Sequence, residues 1–381
     1  MNIGIVCYPT YGGSGVVATE LGKALAHKGH NIHFISYRVP ARLESFMENV
    51  FYHEVSFADY PLFERAPYET ALASKIVDVA RFEKLDLLHV HYAIPHAATA
   101  YMAKQILKSE NIYLPYITTL HGTDITLVGR DATYAPVVKF SIEQSDGVTT
   151  VSQSLKKDTC DFFGVSNEIE VIPNFVDLKR FNKAKKEHFK KAIAPGGEKI
   201  LIHTSNFRAV KRTDDVVKIF KEVLDKIPAK LLLVGDGPER QPMEQLVRDL
   251  GIQEDVRFLG KQEAVEELLA VSDLFLMPSE TESFGLAALE AMACQVPVIS
   301  TNSGGIPEIN VQGVTGFLSN VGDVADMAKH AVELLSNEPM LSRFKANALE
   351  QAKKFDLEKI LPRYEKYYEM VVERSKAQAI S

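Results

Sequence analysis

Tryptophan is absent from the 381 residues, and cysteine occurs only at Cys7, Cys160 and Cys294. An odd number of widely spaced cysteines builds neither a disulfide framework nor a thiolate zinc site. Positive charge is not in excess either: 43 Lys and Arg stand against 50 Asp and Glu, a formal net charge of −7. Nucleic acid and anionic membrane surfaces both select a basic field, so neither is an expected partner. No charge-free apolar run reaches the length of a membrane span. Met1–Tyr8 reads as a strand rather than a leader, since the first cation is Lys23. These absences point to a reduced, cytoplasmic protein. What is present is an average globular mixture, 46% hydrophobic and 24% charged, in a chain too long for one core. Two domains are expected.

Apolar strand-like runs alternate with helical periodicity. In the first half the runs are Asn2–Tyr8, Asn31–Tyr37, Asp86–His91, Tyr116–Leu120 and Gly147–Val151. Between the first two, Val17, Leu21 and Leu25 carry helical spacing up to Gly29, a natural stop. The pattern restarts with Lys199–Thr204, Lys230–Val234, Val256–Leu259, Leu274–Met277 and Val296–Ser300. Strands separated by helices imply parallel βαβ units, hence an α/β fold of two doubly wound Rossmann-like domains facing across a cleft. The expected division is 1–170 and 171–356, with a C-terminal helix at about 357–381 that packs back on the first domain. Leu357, Ile360, Leu361, Tyr364, Tyr368 and Val371 give that helix one apolar stripe, and Pro362 inside it predicts a kink. The lysine-rich run Lys183–Lys191 reads as a solvated helix face.

Gly13-Ser14-Gly15-Val16-Val17-Ala18 satisfies G-x-G-x-x-A between a strand and a helix, the place of a dinucleotide fingerprint. The acid that should close the next strand is missing, because that strand ends in Ser36-Tyr37-Arg38. Arg38 suits a 2′-phosphate, which keeps an NADP enzyme open. A plain tight turn and a phosphate contact of another kind are the other readings.

The second half carries the more informative segment, from Pro278 to Met292. A strand runs into a polar loop and then into a helix expected to start near Phe284. Glu282 precedes the helix and Glu290 lies eight residues on, a separation of roughly 12 Å at helical rise. That span matches a sugar nucleotide. The amides of Ser283, Phe284, Gly285 and Leu286, with the helix dipole, suit the diphosphate between its ends. Glu290, among Leu289, Ala291 and Met292, reads as buried or facing a cleft rather than as a surface acid.

Glu282-x7-Glu290 around Ser-Phe-Gly-Leu resembles the E-x7-E motif of retaining glycosyltransferases of the GT-B fold, family four. Val151-Ser152-Gln153-Ser154, Ile172–Asp177, Val234–Glu239, Gly304–Glu308 and Gly313–Gly316 resemble further family segments in the same order, although Phe175 replaces a usual glycine. The resemblance implies that Glu290 holds the ribose, Glu282 the hydroxyls of the donor sugar, and the Gly13 amide the diphosphate. It also implies a phosphate-binding arginine and a lysine five residues later. Lys211 fits the lysine, but Asn206 stands where the arginine belongs, and Arg208 is the expected substitute. No metal or other cofactor is expected, since fixed cations and a helix end neutralise the leaving diphosphate.

His89 and His91, at i and i+2, share a strand face that suits a metal, but no carboxylate or cysteine accompanies them at ligand spacing. His121 ends a strand, where open α/β sheets bind ligands; the resemblance makes it a cleft histidine at the donor sugar, catalytic together with Glu282. No residue is spaced as a compelling nucleophile, so front-face attack is expected, with a donor phosphate oxygen as base. Cys7–Gly15 and His89–Tyr92 resemble the bacillithiol-pathway branch of the family, which implies UDP-N-acetylglucosamine as donor and L-malate as acceptor. Tyr92, Arg65 and Arg130 are the candidate groups for the malate carboxylates, the phenol as donor and the arginines as planar forks. A homo-oligomer is left open.

Overall fold

The computed structural model describes residues 1–43, 46–57, 67–183 and 187–380. They form two compact units, Met1–Pro173 with Ile360–Ser381, and Asn174–Lys359. The first unit holds a seven-stranded sheet of β1 (Asn2–Val6), β2 (Asn31–Ser36), β3 (Val50–Glu54), β4 (Leu87–His91), β5 (Tyr116–Leu120), β6 (Gly147–Thr150) and β7 (Ile169–Val171). The second holds six: β8 (Lys199–Thr204), β9 (Ala229–Val234), β10 (Val256–Gly260), β11 (Leu274–Met277), β12 (Val298–Thr301) and β13 (Gly316–Ser319).

Every pairing is parallel. The orders are β3-β2-β1-β4-β5-β6-β7 and β10-β9-β8-β11-β12-β13. Both are doubly wound, and each reverses direction once, between β1 and β4 and between β8 and β11. Ligands of such sheets bind at the carboxyl ends of the strands flanking that reversal. Because helices cover both faces, the central strands are apolar on both sides: Ile3, Ile5 and Val6 of β1 and Leu274, Phe275 and Leu276 of β11 are all fully buried.

The C-terminal helix Leu357–Ile380 continues through Pro362 without interruption, so the expected kink does not divide it. Its tyrosines Tyr364 and Tyr368 are fully buried in the first unit. Tyr367 Oη donates to the Val148 carbonyl and accepts from the Val148 amide, at 3.2 and 2.9 Å. Gly147 makes this docking possible: a Cβ there would stand 2.9 Å from both Tyr367 Oη and Val371 Cγ2. The lysine-rich run is only partly a solvated face, for Lys190 lies 3.5 Å from the buried carboxylate of Asp273.

Candidate active site

In the second unit, four loops meet at the carboxyl ends of β8, β9, β11 and β12. The Ser205–Lys211 loop is backed by the loop after β9, where glycines are obligatory. A Cβ on Gly235 would fall 1.7 Å from the Ser205 carbonyl, and one on Gly237 would fall 2.0 Å from that of Asn206. The Glu239 amide closes the contact by donating to the Phe207 carbonyl at 2.9 Å. Beneath it, His203 bridges the Leu276 carbonyl and Ser205 Oγ, both at 2.8 Å. Burial pushes this imidazole down to about 4, so it is a neutral strut rather than a charge.

The Pro278–Gly285 loop is pinned on both sides. The Glu280 amide donates to the Val210 carbonyl at 2.9 Å, and the hydroxyls of Thr301 and Ser303 donate to the carbonyls of Ser279 and Glu280. Gly304 and Gly305 let the next loop press against it; a Cβ on either would stand 2.1 or 2.3 Å from the carbonyls of Glu282 and Ser283. The Gly305 amide donates to the Glu282 carbonyl at 2.8 Å.

The helix after this loop starts at Leu286 rather than near Phe284, because Gly285 takes φ 95° and ψ 45°. Only Leu286 to Glu290 of the eight-residue spacing is helical, so a separation reckoned at helical rise does not apply between Glu282 and Glu290. The amides of Ser283, Phe284, Gly285 and Leu286 find no acceptor among the described residues, leaving four donors at a helix start. Phe284 is buried against Phe355, ring centroids 5.6 Å apart, which fixes the loop from below. Glu290 is 8% exposed on the same helix. Lys211, at the end of a short 3₁₀ turn, donates from Nζ to Glu282 Oε2 at 2.6 Å. Asn206 and Arg208 are both exposed on the Ser205–Lys211 loop.

The first unit gathers its polar groups at the carboxyl ends of β1, β4 and β5. The Gly13–His27 helix follows β1 with Gly12 at its cap, and the amides of Gly13, Ser14 and Gly15 have no acceptor among the described residues. Gly15 packs so closely under the turn that a Cβ would lie 2.4 Å from the Thr10 carbonyl. Tyr92, just past β4, sits at φ 87° and ψ 138°, a strained backbone for a tyrosine. Its amide donates to the Thr119 carbonyl at 2.9 Å, and its hydroxyl donates to Ser14 Oγ at 2.7 Å. The phenol proton expected to serve a carboxylate is therefore donated to Ser14 Oγ instead.

His121 is half-buried and stacks on His91, with His91 Nδ1 and His121 Nε2 2.8 Å apart. His91 is held in turn by its carbonyl, which accepts from His96 Nδ1 at 2.6 Å. Burial pushes His121 down to about 3 and His96 down to about 4, so both are neutral near pH 7. Asp124, 2% exposed, accepts from the amides of Ala93, Gly122 and His121 at 2.9, 3.0 and 3.3 Å. One carboxylate thus fastens the His121 loop to the Tyr92–Ala93 turn, although burial raises it to about 6 against those bonds.

His89 is structural. Its two nitrogens meet Tyr368 Oη at 2.6 Å and Thr119 Oγ1 at 2.7 Å, so neither is left for a metal. Arg130 is exposed, and its guanidinium lies 4.4 Å over the Phe162 ring. Arg65 lies outside the described residues. Sequence reasoning missed Ser14, Asp124 and His203. Asp124 alone carried a signal, as the polar residue of a His-Gly-Thr-Asp turn at a strand end.

Comparison with known proteins agrees with this architecture. Residues 11–180 match the Glycosyltransferase Family 4 model and residues 184–351 the Glycosyl transferases group 1 model. The chain is 50% identical over 370 residues to N-acetyl-alpha-D-glucosaminyl L-malate synthase of Bacillus anthracis, covering 97% of this chain and 96% of that one. It is 25% identical over 377 residues to D-inositol 3-phosphate glycosyltransferase of Nocardia farcinica, covering 90% and 81%. Among solved structures, Anabaena HepE in complex with UDP and glucose superposes with a TM-score of 0.83 at 20% identity, over 96% of this chain and 99% of that one. With both halves matched and a near-complete relative at half identity, the chain belongs to the family-four glycosyltransferases and has their two-unit GT-B fold.

Proposed function

We propose that this glycosyltransferase moves N-acetylglucosamine from UDP-N-acetylglucosamine to the hydroxyl of L-malate with retention of configuration, the first step of bacillithiol biosynthesis, in the cytoplasm and without a metal. The observation that carries the reading is the 50% identity, spread over nearly the whole chain, to a protein of that named activity.

The chemistry follows from the two clusters of donors. Glu290 takes the ribose hydroxyls from a buried helix position, and the amides of Ser283–Leu286 meet the diphosphate at the same helix start. Lys211 and Arg208 neutralise the charge that grows on the leaving phosphate as the glycosidic bond breaks. Glu282 holds Lys211 in place and accepts from hydroxyls of the donor sugar. The Gly13 amide, at the start of the Gly13–His27 helix, adds a further donor. His121, neutral and oriented by His91, presents its remaining nitrogen Nδ1 to the sugar without adding charge. Malate attacks from the face the diphosphate leaves, and a phosphate oxygen takes the proton of its hydroxyl. Arg65 or Arg130 holds the carboxylates, and Ser14, supported by Tyr92, donates to one of them.

Mixing the protein with UDP-N-acetylglucosamine and L-malate should release UDP and form the malate glycoside, whereas either substrate alone should release almost none. An excess of chelator should leave that rate within about twofold. UDP release that ignores malate but answers to a lipid or a second sugar would overturn the acceptor. The absence of release with every acceptor would overturn the catalytic reading.

A further inference from the structure

Three chemistry-bearing side chains lie together on β2, β3 and a helix end, on strands the transfer site does not use. His33 pairs across the sheet with Phe51, and Ile35 with His53, so His33 and His53 are diagonal neighbours on one face. Their rings are nearly parallel, with centroids 5.2 Å apart, and His33 Nδ1 stands 3.0 Å from His53 Nε2. Glu83, the last residue of the Tyr68–Glu83 helix, completes the group; one ligand atom from each of the three lies within 4.8 Å of the others. This is the only such cluster of three among the described residues.

Each member is prepared for a cation. Burial keeps protons off both histidines, while the Glu83 carboxylate beside them favours positive charge at the cluster. Neutral imidazole is the ligating form. Glu83 places a carboxylate at the negative end of a helix dipole, an unfavourable position unless a cation offsets it. Among the described residues no Lys or Arg ion pair reaches that carboxylate, whereas Arg81 on the same helix is paired with Glu110. The backbone around it is fixed, because Asn2 Nδ2 donates to the Glu83 carbonyl at 2.9 Å.

We propose that His33, His53 and Glu83 form a binding site for a borderline divalent metal, of which zinc is the best match. Two imidazole nitrogens and one carboxylate oxygen are a zinc donor set, with a fourth position left to water. Tetrahedral ligands at zinc–nitrogen distances of about 2.0–2.1 Å stand about 3.3 Å apart, close to the 3.0 Å between the two imidazole nitrogens, with the Glu83 oxygen within 4.8 Å of them. On loading, the Glu83 carboxylate closes in, and the imidazole donating in the His33–His53 contact moves its proton to its other ring nitrogen. No proton leaves the pair. The consequence is structural: β3 is the edge strand of its sheet, and the metal would fasten it both to β2 and to the end of the Tyr68–Glu83 helix.

The test uses the full chain stripped with chelator and titrated with Zn²⁺ by calorimetry, then with Co²⁺, whose visible absorption bands report tetrahedral coordination. One equivalent should bind, and the melting temperature should rise with it. His53→Gln and Glu83→Gln, both at partly exposed positions, should each weaken Zn²⁺ at least about tenfold and remove the thermal gain. Circular dichroism of the metal-free chains, unchanged in both, shows that the variants fold. If wild type binds no equivalent at micromolar Zn²⁺, or both variants bind as wild type does, the proposal falls and the pair is an imidazole hydrogen bond.

Discussion

Lys211 Nζ and Glu282 Oε2 are 2.6 Å apart, joining residues 71 positions distant that project from neighbouring loops after β8 and β11. The pair sits beside the unpaired amides of Ser283–Leu286, so a charge assigned to the diphosphate and a carboxylate assigned to the sugar are mutually positioned. The two acids of the motif should therefore fail differently. Glu290→Ala should weaken UDP and UDP-N-acetylglucosamine alike by about tenfold or more, roughly 1.4 kcal/mol, since both carry the ribose. Glu282→Ala should lower turnover at least about tenfold while UDP affinity stays nearly intact, since UDP lacks the sugar that Glu282 contacts. Calorimetry decides it; an equal loss of UDP affinity in both variants contradicts the division.

His121→Ala should reduce kcat by about tenfold or more with the fold intact. Steady-state rates and circular dichroism on the same preparation check this. A rate equal to wild type would reduce His121 to a partner of the His91 stack.

For the acceptor, replacing the arginine that holds malate should raise its KM about tenfold or more, on the order of 1.5–3 kcal/mol for a charged hydrogen bond, while the sugar-nucleotide KM stays put. Arg65→Ala is the first variant to measure and Arg130→Ala the second. Ser14→Ala should share the malate-specific effect. If malate KM is unchanged in all three, a dicarboxylate does not bind here.

Gly304→Ala should damage donor binding without touching any substrate contact. Its φ is +59° and its Cβ would lie 2.1 Å from the Glu282 carbonyl, so the Glu282 loop must move. We expect UDP affinity to fall at least about tenfold. Gly313→Ala is the control, because its φ of +70° brings equal backbone strain but nothing lies within 4 Å. Titrations in which the two variants behave alike would show that strain, not displacement, is responsible.

Acid should destabilise the first unit earlier than its carboxylates alone would require. His89 and His121 are pushed down to about 3 and His96 to about 4, against 6.5 for the free side chain. Depressed in the fold, they contribute stability that is complete above 6.5 and is lost as pH falls toward those values. The slope reaches about 1.4 kcal/mol per pH unit for each proton taken up on unfolding. Asp124, raised to about 6 from 3.8, works in the opposite sense, adding stability only as pH drops through that window. Denaturant midpoints followed by circular dichroism between about pH 7 and pH 5 should fall, and His89→Gln should flatten the slope. A midpoint independent of pH would refute it.

The alternation of apolar runs and helical periodicity was readable because central strands of a doubly wound sheet are buried on both faces. β3, β7 and β13 were not read: each has five residues or fewer, and β3 carries a half-exposed mixture around His53. The burial of Glu290 followed from its apolar neighbours on one helix. What escaped depends on contacts between distant positions. Lys211 with Glu282, Tyr92 with Ser14 and His89 with Tyr368 are separated by 71, 78 and 279 residues, and nothing local records them. Gly285 escaped for another reason: glycine permits the left-handed turn that delays the helix but does not require it.

The C-terminal helix has a consequence for synthesis. Tyr364 and Tyr368, buried under His89, belong to a unit whose other residues end at Pro173, whereas Asn174–Lys359 is one unbroken stretch. As the chain leaves the ribosome, the later unit is complete first. The earlier one must wait through that whole interval with the place of two tyrosines unfilled and His89 uncovered, open to chaperones and to neighbouring nascent chains. The order of maturation is thus the reverse of the order of translation, and the His121 site is finished only when the last helix docks.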